Sequence, residues 1–268
     1  MSGLVPLTVR ELKKWYRSPV FFFVGLLQPF FWIALFGSAF SGGPFASPLY
    51  SSAIDNAPNY ITFVVAGVLT TTALFTGMFS GINIIWDRRL GTLSRLLASP
   101  ISRSSIVFSK VLSSIARIMV QVVILILAAL VIPDGLRFVN GFTLFAAAVI
   151  VATTLMIAFI FSSLFSVIAV KMRNMQSIFG ISNLISLPLM FASFAMFPKT
   201  FMIGWLQSVA VWNPISWAAD AMRTVIINGS AITTTQSYST LFDLLVLGIL
   251  SLAVFLFTYF ISEQEIRE

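Results

Sequence analysis

The sequence predicts an all-α polytopic membrane protein, and three observations carry that reading. Of its 268 residues 58% are hydrophobic and 9% charged, a balance that cannot clothe a soluble domain. The apolar residues form continuous runs of about 20, the length that crosses roughly 30 Å of hydrocarbon at about 1.5 Å per residue. None of these runs shows the apolar-polar alternation, in segments of about 10, of a membrane barrel. What lies between the runs is too short for a separate soluble domain, so residues 1–268 read as one transmembrane domain.

The first element is a surface helix over residues 8–18. At about 100° per residue Val9, Leu12, Trp15 and Tyr16 share one arc, and Arg10, Lys13, Lys14 and Arg17 the opposite one. Such a helix lies in the membrane interface with its aromatic side chains at headgroup depth. Ser18 and Pro19 end it. The apolar runs then predict six spanning helices, over 20–40, 60–85, 106–132, 142–170, 177–197 and 241–261. Basic residues ahead of an apolar stretch superficially resemble a signal peptide, but 20–40 is long enough to cross and is read as a retained first helix.

Orientation follows from the basic residues. With the N-terminus inside, the cytoplasmic segments hold Arg10, Lys13, Lys14, Arg17, Arg88, Arg89, Arg95, Arg103, Lys110, Lys171, Arg173 and Arg267, twelve of the sixteen. The outside keeps Arg137, Lys199 and Arg223. Both termini are therefore expected in the cytoplasm. The same distribution turns the net charge of +7 into a topology signal, and nucleic acid is not an expected partner. Arg117 lies inside the third span, either snorkelling to the interface or anchoring an anionic headgroup.

Between the second and third spans, residues 87–98 form an amphipathic cytoplasmic helix. Leu90, Leu93, Leu96 and Leu97 lie on one side and Arg88, Thr92 and Arg95 toward the other; Ser99 and Pro100 stop it. Residues 201–219 also lack charge, yet Asn213 and Pro214 break them into pieces too short to cross. A re-entrant helical hairpin over 201–228 is expected instead, dipping into the outer leaflet with arms at 202–211 and 215–226. Asp220 and Arg223, three apart on the second arm, suit a structural clasp or an outer gate. Gly77 with Gly81, and Ser162 with Ser166, have the spacing that lets helix backbones approach closely.

Chemistry is scarce. Without cysteine or histidine there is no thiolate, no disulfide and none of the commonest metal ligands, so neither a metal site nor a catalytic set is expected. No Asp, Glu or His lies within the charge-free core of any run; Asp243 falls at the start of the last predicted helix, ahead of its charge-free stretch from Leu244, and reads as interfacial. That weakens a proton-coupled mechanism. The 27 Phe residues either pack against membrane lipid or line a pathway suited to lipids or amphiphilic drugs rather than ions or free sugars.

Several blocks resemble one family in order. Asp87, Arg88, Arg89, Leu90, Gly91, Thr92 and Leu93, followed by Leu96, Leu97, Ser99, Pro100, Ile101, Ser102, Arg103 and Lys110, resemble the signature of permease subunits of type-2 ABC exporters. Pro188, Phe197, Pro198, Asn213, Pro214, Ile215, Ala219 and Arg223 are similar to the family's fifth-span end and outer hairpin. Arg10, Glu11, Lys14, Arg17, Ser18 and Pro19 are similar to its entrance helix. Asp87 stands where the family often has Glu.

The resemblance implies a drug- or lipid-exporter-like permease of six helices in a prokaryotic inner membrane. It would work as a dimer, homodimeric in preference to heterodimeric, on two cytoplasmic ABC ATPase subunits, surrounded by membrane lipids. Residues 87–98 would be the coupling helix, with Asp87, Arg88, Arg89, Gly91, Thr92, Arg95, Leu96 and Pro100 as its ATPase-coupling residues. Arg10, Lys13, Lys14, Trp15 and Arg17 would form the interface helix, and Asn213, Pro214, Asp220 and Arg223 the outer hairpin. ATP and Mg would bind the partner, since this chain has no Gly-x-x-x-x-Gly-Lys-Ser/Thr loop. An ion-coupled secondary transporter and a non-transporting membrane scaffold are the alternatives.

Overall fold

A computed structural model describes residues 3–40, 54–99, 101–132, 134–172, 174–228 and 239–265, and among them ten α-helices form and no strand. They are α1 (Leu4–Tyr16), α2 (Pro19–Phe40), α3 (Tyr60–Arg89), α4 (Thr92–Leu97), α5 (Arg103–Val131), α6 (Leu144–Lys171), α7 (Met175–Phe191), α8 (Gly204–Ala210), α9 (Pro214–Asn228) and α10 (Thr240–Glu265). Local chemistry sets the starts. The Asn59 side chain accepts from the Thr62 N–H at 2.7 Å to open α3, and Thr143 accepts from the Ala146 N–H at 3.0 Å to open α6.

Helix α3 is the hub. It packs against α2, α5, α6, α7 and α9, and Phe63, Val64, Val65, Ala66 and Val68 are fully buried. Small residues permit this crowding, as the glycine and serine spacings predict. A Cβ on Gly81 would fall 2.3 Å from the Phe165 carbonyl oxygen, and one on Gly77 2.9 Å from the Ser162 nitrogen. The Ser80 and Ser166 hydroxyls meet at 3.4 Å across the same seam. Deeper in, the Gln121 amide bridges three helices, taking the Thr76 hydroxyl at 2.9 Å and donating to the Gly25 carbonyl at 3.3 Å.

Five helices are long and apolar enough to cross a membrane, at Phe22–Phe40, Tyr60–Arg89, Arg103–Val131, Leu144–Lys171 and Thr240–Gln264. The helix expected over 177–197 is shorter: α7 has 17 residues and leaves the helical path after Phe191. At about 1.5 Å per residue it spans roughly 25 Å. Pro188, in its last turn, brings no N–H to the helix, and Ala192 closes the end by donating to the Pro188 carbonyl at 2.8 Å.

Candidate functional site

Two constellations gather the residues singled out in the sequence, one at each end of the bundle. At the end away from α4, α8 and α9 replace the two hairpin arms, and Pro214 takes the first position of α9. Asn213 ties them to α7. Its amide nitrogen donates to the Leu189 and Ala192 carbonyls, both at 2.7 Å, and its side-chain oxygen accepts from the Ile215 N–H at 2.9 Å. The carbonyls left open where α7 stops are thereby satisfied.

Arg223 is fully buried on α9. It donates to the carbonyls of Phe63 at 3.2 Å and Phe194 at 2.8 Å, and its guanidinium lies 3.7 Å from the Phe63 ring centroid. The Asp55 carboxylate is 3.8 Å away, and Asp220, itself buried, adds its charge to the same region. Asp220 and Arg223, read as a structural clasp or an outer gate, are thus both buried on α9, and Arg223 anchors that helix to α3 and the segment after α7. Asp243, expected at the interface, sits in the first turn of α10 with no exposure, its carboxylate oxygens without a hydrogen-bond partner among the described residues. The packing of α10 against α6 and α9 encloses it.

At the α4 end, α3 runs on through Asp87 and Arg88 to Arg89, where Leu90 and Gly91 turn the chain. Gly91 has φ +65°, a conformation that glycine takes without strain, and α4 starts from it on a new axis. The single helix expected over 87–98 is therefore two pieces, divided at Gly91.

That division sends the expected coupling residues in different directions. Asp87 points inward and pairs with Lys110 of α5. Lys110 also lies 3.0 Å from Glu11 of α1, and Lys14 bridges Glu11 at 3.3 Å and Asp87 at 3.2 Å. The side chains of Lys110, Asp87 and Glu11 are 4%, 6% and 9% exposed, so two carboxylates and one ammonium are out of water, and half-exposed Lys14 balances the charge. Such charges are tolerated only when paired. Three helices thus meet in one ionic cluster, beside which Arg117 donates to the Ser113 carbonyl at 3.2 Å.

Arg88 also turns away from solvent. It donates to the carbonyls of Met172 at 2.6 Å and Val170 at 2.9 Å, a cation closing the C-terminus of α6. Leu93 is buried with Leu7 and Ile106, and Leu96 packs on them, so Leu96 is a core contact. Thr92 is partly buried, and Pro100 lies outside the described residues. What faces out is Arg89, Leu90 at 66% exposure, Arg95 and Leu97 at 40%.

The interface helix turns Leu7 and Glu11 toward the bundle, and Val9 and Tyr16 of the predicted apolar arc are exposed. The pairing of Glu11 with Lys110 sets this buried face of α1 on α5. Trp15 packs on Phe22 at a ring distance of 5.1 Å, while Lys13 and Arg17 face outward and Arg10 lies 3.8 Å from Glu11.

Residues 4–227 match the family described as ABC-2 type transporter. The chain belongs to that family. It is 31% identical over 229 residues to a protein of Cyanophora paradoxa named transport permease ycf38, covering 83% of this chain and 73% of that one. Its namesake in Porphyra purpurea is 28% identical over 218 residues, 81% and 71% of the two chains. A daunorubicin resistance ABC transporter permease protein of Streptomyces coeruleorubidus is 26% identical over 224 residues, 83% and 74% of the two. As an ABC-2 permease, the chain is the membrane subunit of an ABC transporter, a class that works with an ATPase subunit.

The match begins at α1 and ends in α9, so both constellations of this permease fall within it. Two members of the ionic cluster were not among the expected site residues. Glu11 was the one acid in an otherwise basic helix, four residues from Leu7 and hence on its face, which is the signal that marks it. Lys110 entered only as part of the family signature, and nothing local in the sequence joins it to Asp87.

Proposed function

We propose that this permease is half of the membrane portion of an ATP-driven exporter. Two copies, most simply identical, would form the pathway, each docked on a cytoplasmic ABC ATPase subunit that binds ATP and Mg. Both termini face the cytoplasm of a prokaryotic cell, the short helix α7 serves as the sixth crossing, and α8 and α9 form the re-entrant hairpin at the outer leaflet. The substrate is amphiphilic or lipid-linked and moves outward by alternating access. The drug resistance in the Streptomyces relative's name and the abundance of apolar side chains support that substrate class.

The observation that carries the coupling role is the outward patch of Arg89, Leu90, Arg95 and Leu97 on the α3–α4 corner. It offers two apolar side chains and two cations to a partner, over an ionic cluster that ties the corner to α1 and α5. Closure of the ATPase subunits would push on α4, and the rigid corner would pass the movement to α3. The test is purification of the tagged permease with its bound partner, with ATP hydrolysis assayed. Arg95→Glu with Leu97→Glu should abolish partner retention and substrate-stimulated hydrolysis while the unfolding free energy of the permease alone stays within about 0.5 kcal/mol of wild type, as for other surface changes. A double variant that still binds and couples its ATPase would refute the assignment.

A further inference from the structure

We infer that the outward face of α1 is a binding surface for anionic phospholipid headgroups. The helix has two unlike sides. Its one acid, Glu11, is buried toward Lys14 and Lys110, so among the described residues the outward side carries only cations and apolar groups. There Pro6, Val9, Arg10, Lys13, Lys14 and Arg17 line a shallow groove of about 360 Å³. The cations stand at i, i+3, i+4 and i+7, which places them in one stripe about 10 Å long. Lys13 and Arg17 are exposed and enter no ion pair among the described residues, so no acid among those residues answers their charge.

Two further observations select lipid over an acidic protein surface. Val5 at 69% and Tyr16 at 82% exposure stand on the same helix as the stripe, and apolar groups beside cations suit the boundary between acyl chains and phosphates. The chain also turns from α1 directly into α2, where the first candidate span begins at Phe22, the residue on which Trp15 packs. The stripe therefore ends within a few residues of a helix that enters the hydrocarbon, at headgroup depth. The inference rests on the reading of the chain as a membrane subunit.

The test is native mass spectrometry of the full chain, purified with its ATPase and offered phosphatidylglycerol and phosphatidylcholine in equal amounts. Wild type should retain phosphatidylglycerol preferentially, and Lys13→Gln with Arg17→Gln should lower that preference by about fivefold per charge removed, the weight of one cation near an anionic surface. Lys13→Arg with Arg17→Lys should keep it. Equal preference in wild type and the neutral variant would overturn the inference. So would loss of the ATPase from the neutral variant with lipid preference unchanged, which would give the stripe to the partner protein. Retention of the ATPase by wild type, read in the same spectra, reports separately on the transporter reading.

Discussion

Replacing Lys110 by methionine removes one ammonium and leaves a side chain of similar length. In the native cluster Lys110 and Lys14 face Glu11 and Asp87; without Lys110 the two carboxylates, 9% and 6% exposed, are left to Lys14 and to the more distant Arg10, 3.8 Å from Glu11. Because Lys14 is 47% exposed, solvent screens it, and its share of the compensation is about 1 kcal/mol or less. Breaking a buried pair by removing one partner costs about 3–5 kcal/mol, and Lys110→Met should fall in that range. Adding Asp87→Leu removes the second buried charge and leaves Glu11 paired with Lys14 at 3.3 Å, so the double variant should be more stable than the single one. The assay is denaturant or thermal unfolding of the purified permease in one fixed detergent, carried through the full double-mutant cycle. A single-variant cost under about 1 kcal/mol, or additive costs in the double variant, would refute the cluster as the brace between α1, α3 and α5.

Gly81→Ala should lower stability by about 1–3 kcal/mol, because the new Cβ would lie 2.3 Å from backbone oxygen and α3 and α6 must part; Gly180→Ala, where nothing lies within 4 Å, is the control and should cost nothing in the same melting series. Asn213→Ala uncovers the Leu189 and Ala192 carbonyls and loses the bond from the Ile215 N–H, at about 1–3 kcal/mol. Hydrogen exchange should then quicken at the end of α7 and the start of α9, with the α1–α4–α5 corner unaffected.

The helices were legible in the sequence because a membrane leaves few other solutions: an apolar run of crossing length is nearly its own assignment. The seam between α3 and α6 was legible for a related reason, since Gly77, Gly81, Ser162 and Ser166 advertise close approach by their size alone. Sequence periodicity did not reveal that α3 is buried on all sides from Tyr60 to Leu74, as a uniformly apolar helix presents the same pattern to lipid and to protein. The turn at Gly91 has a local cause that a helical-wheel reading of 87–98 overlooked. Arg88 and Leu96 were both expected at the ATPase on the family resemblance, while the pattern sets them on opposite sides of the helix without saying which side meets the protein. Asp87 and Lys110, Arg88 and Met172, and Asn213 and Leu189 are joined only by the tertiary fold, so their pairings had no local signature.

The ionic cluster also constrains the order in which the chain is completed during synthesis. Asp87 and Lys14 lie 73 residues apart and Lys110 follows Asp87 by 23, so Glu11, Lys14 and Asp87 all leave the ribosome before the ammonium that completes their charge balance. Until α5 is made, α1 has no helix on which to set Glu11, and the corner beside α4 stays unfinished. A nascent chain halted ahead of Lys110 would carry its early helices with the carboxylates of that rim short of their buried ammonium.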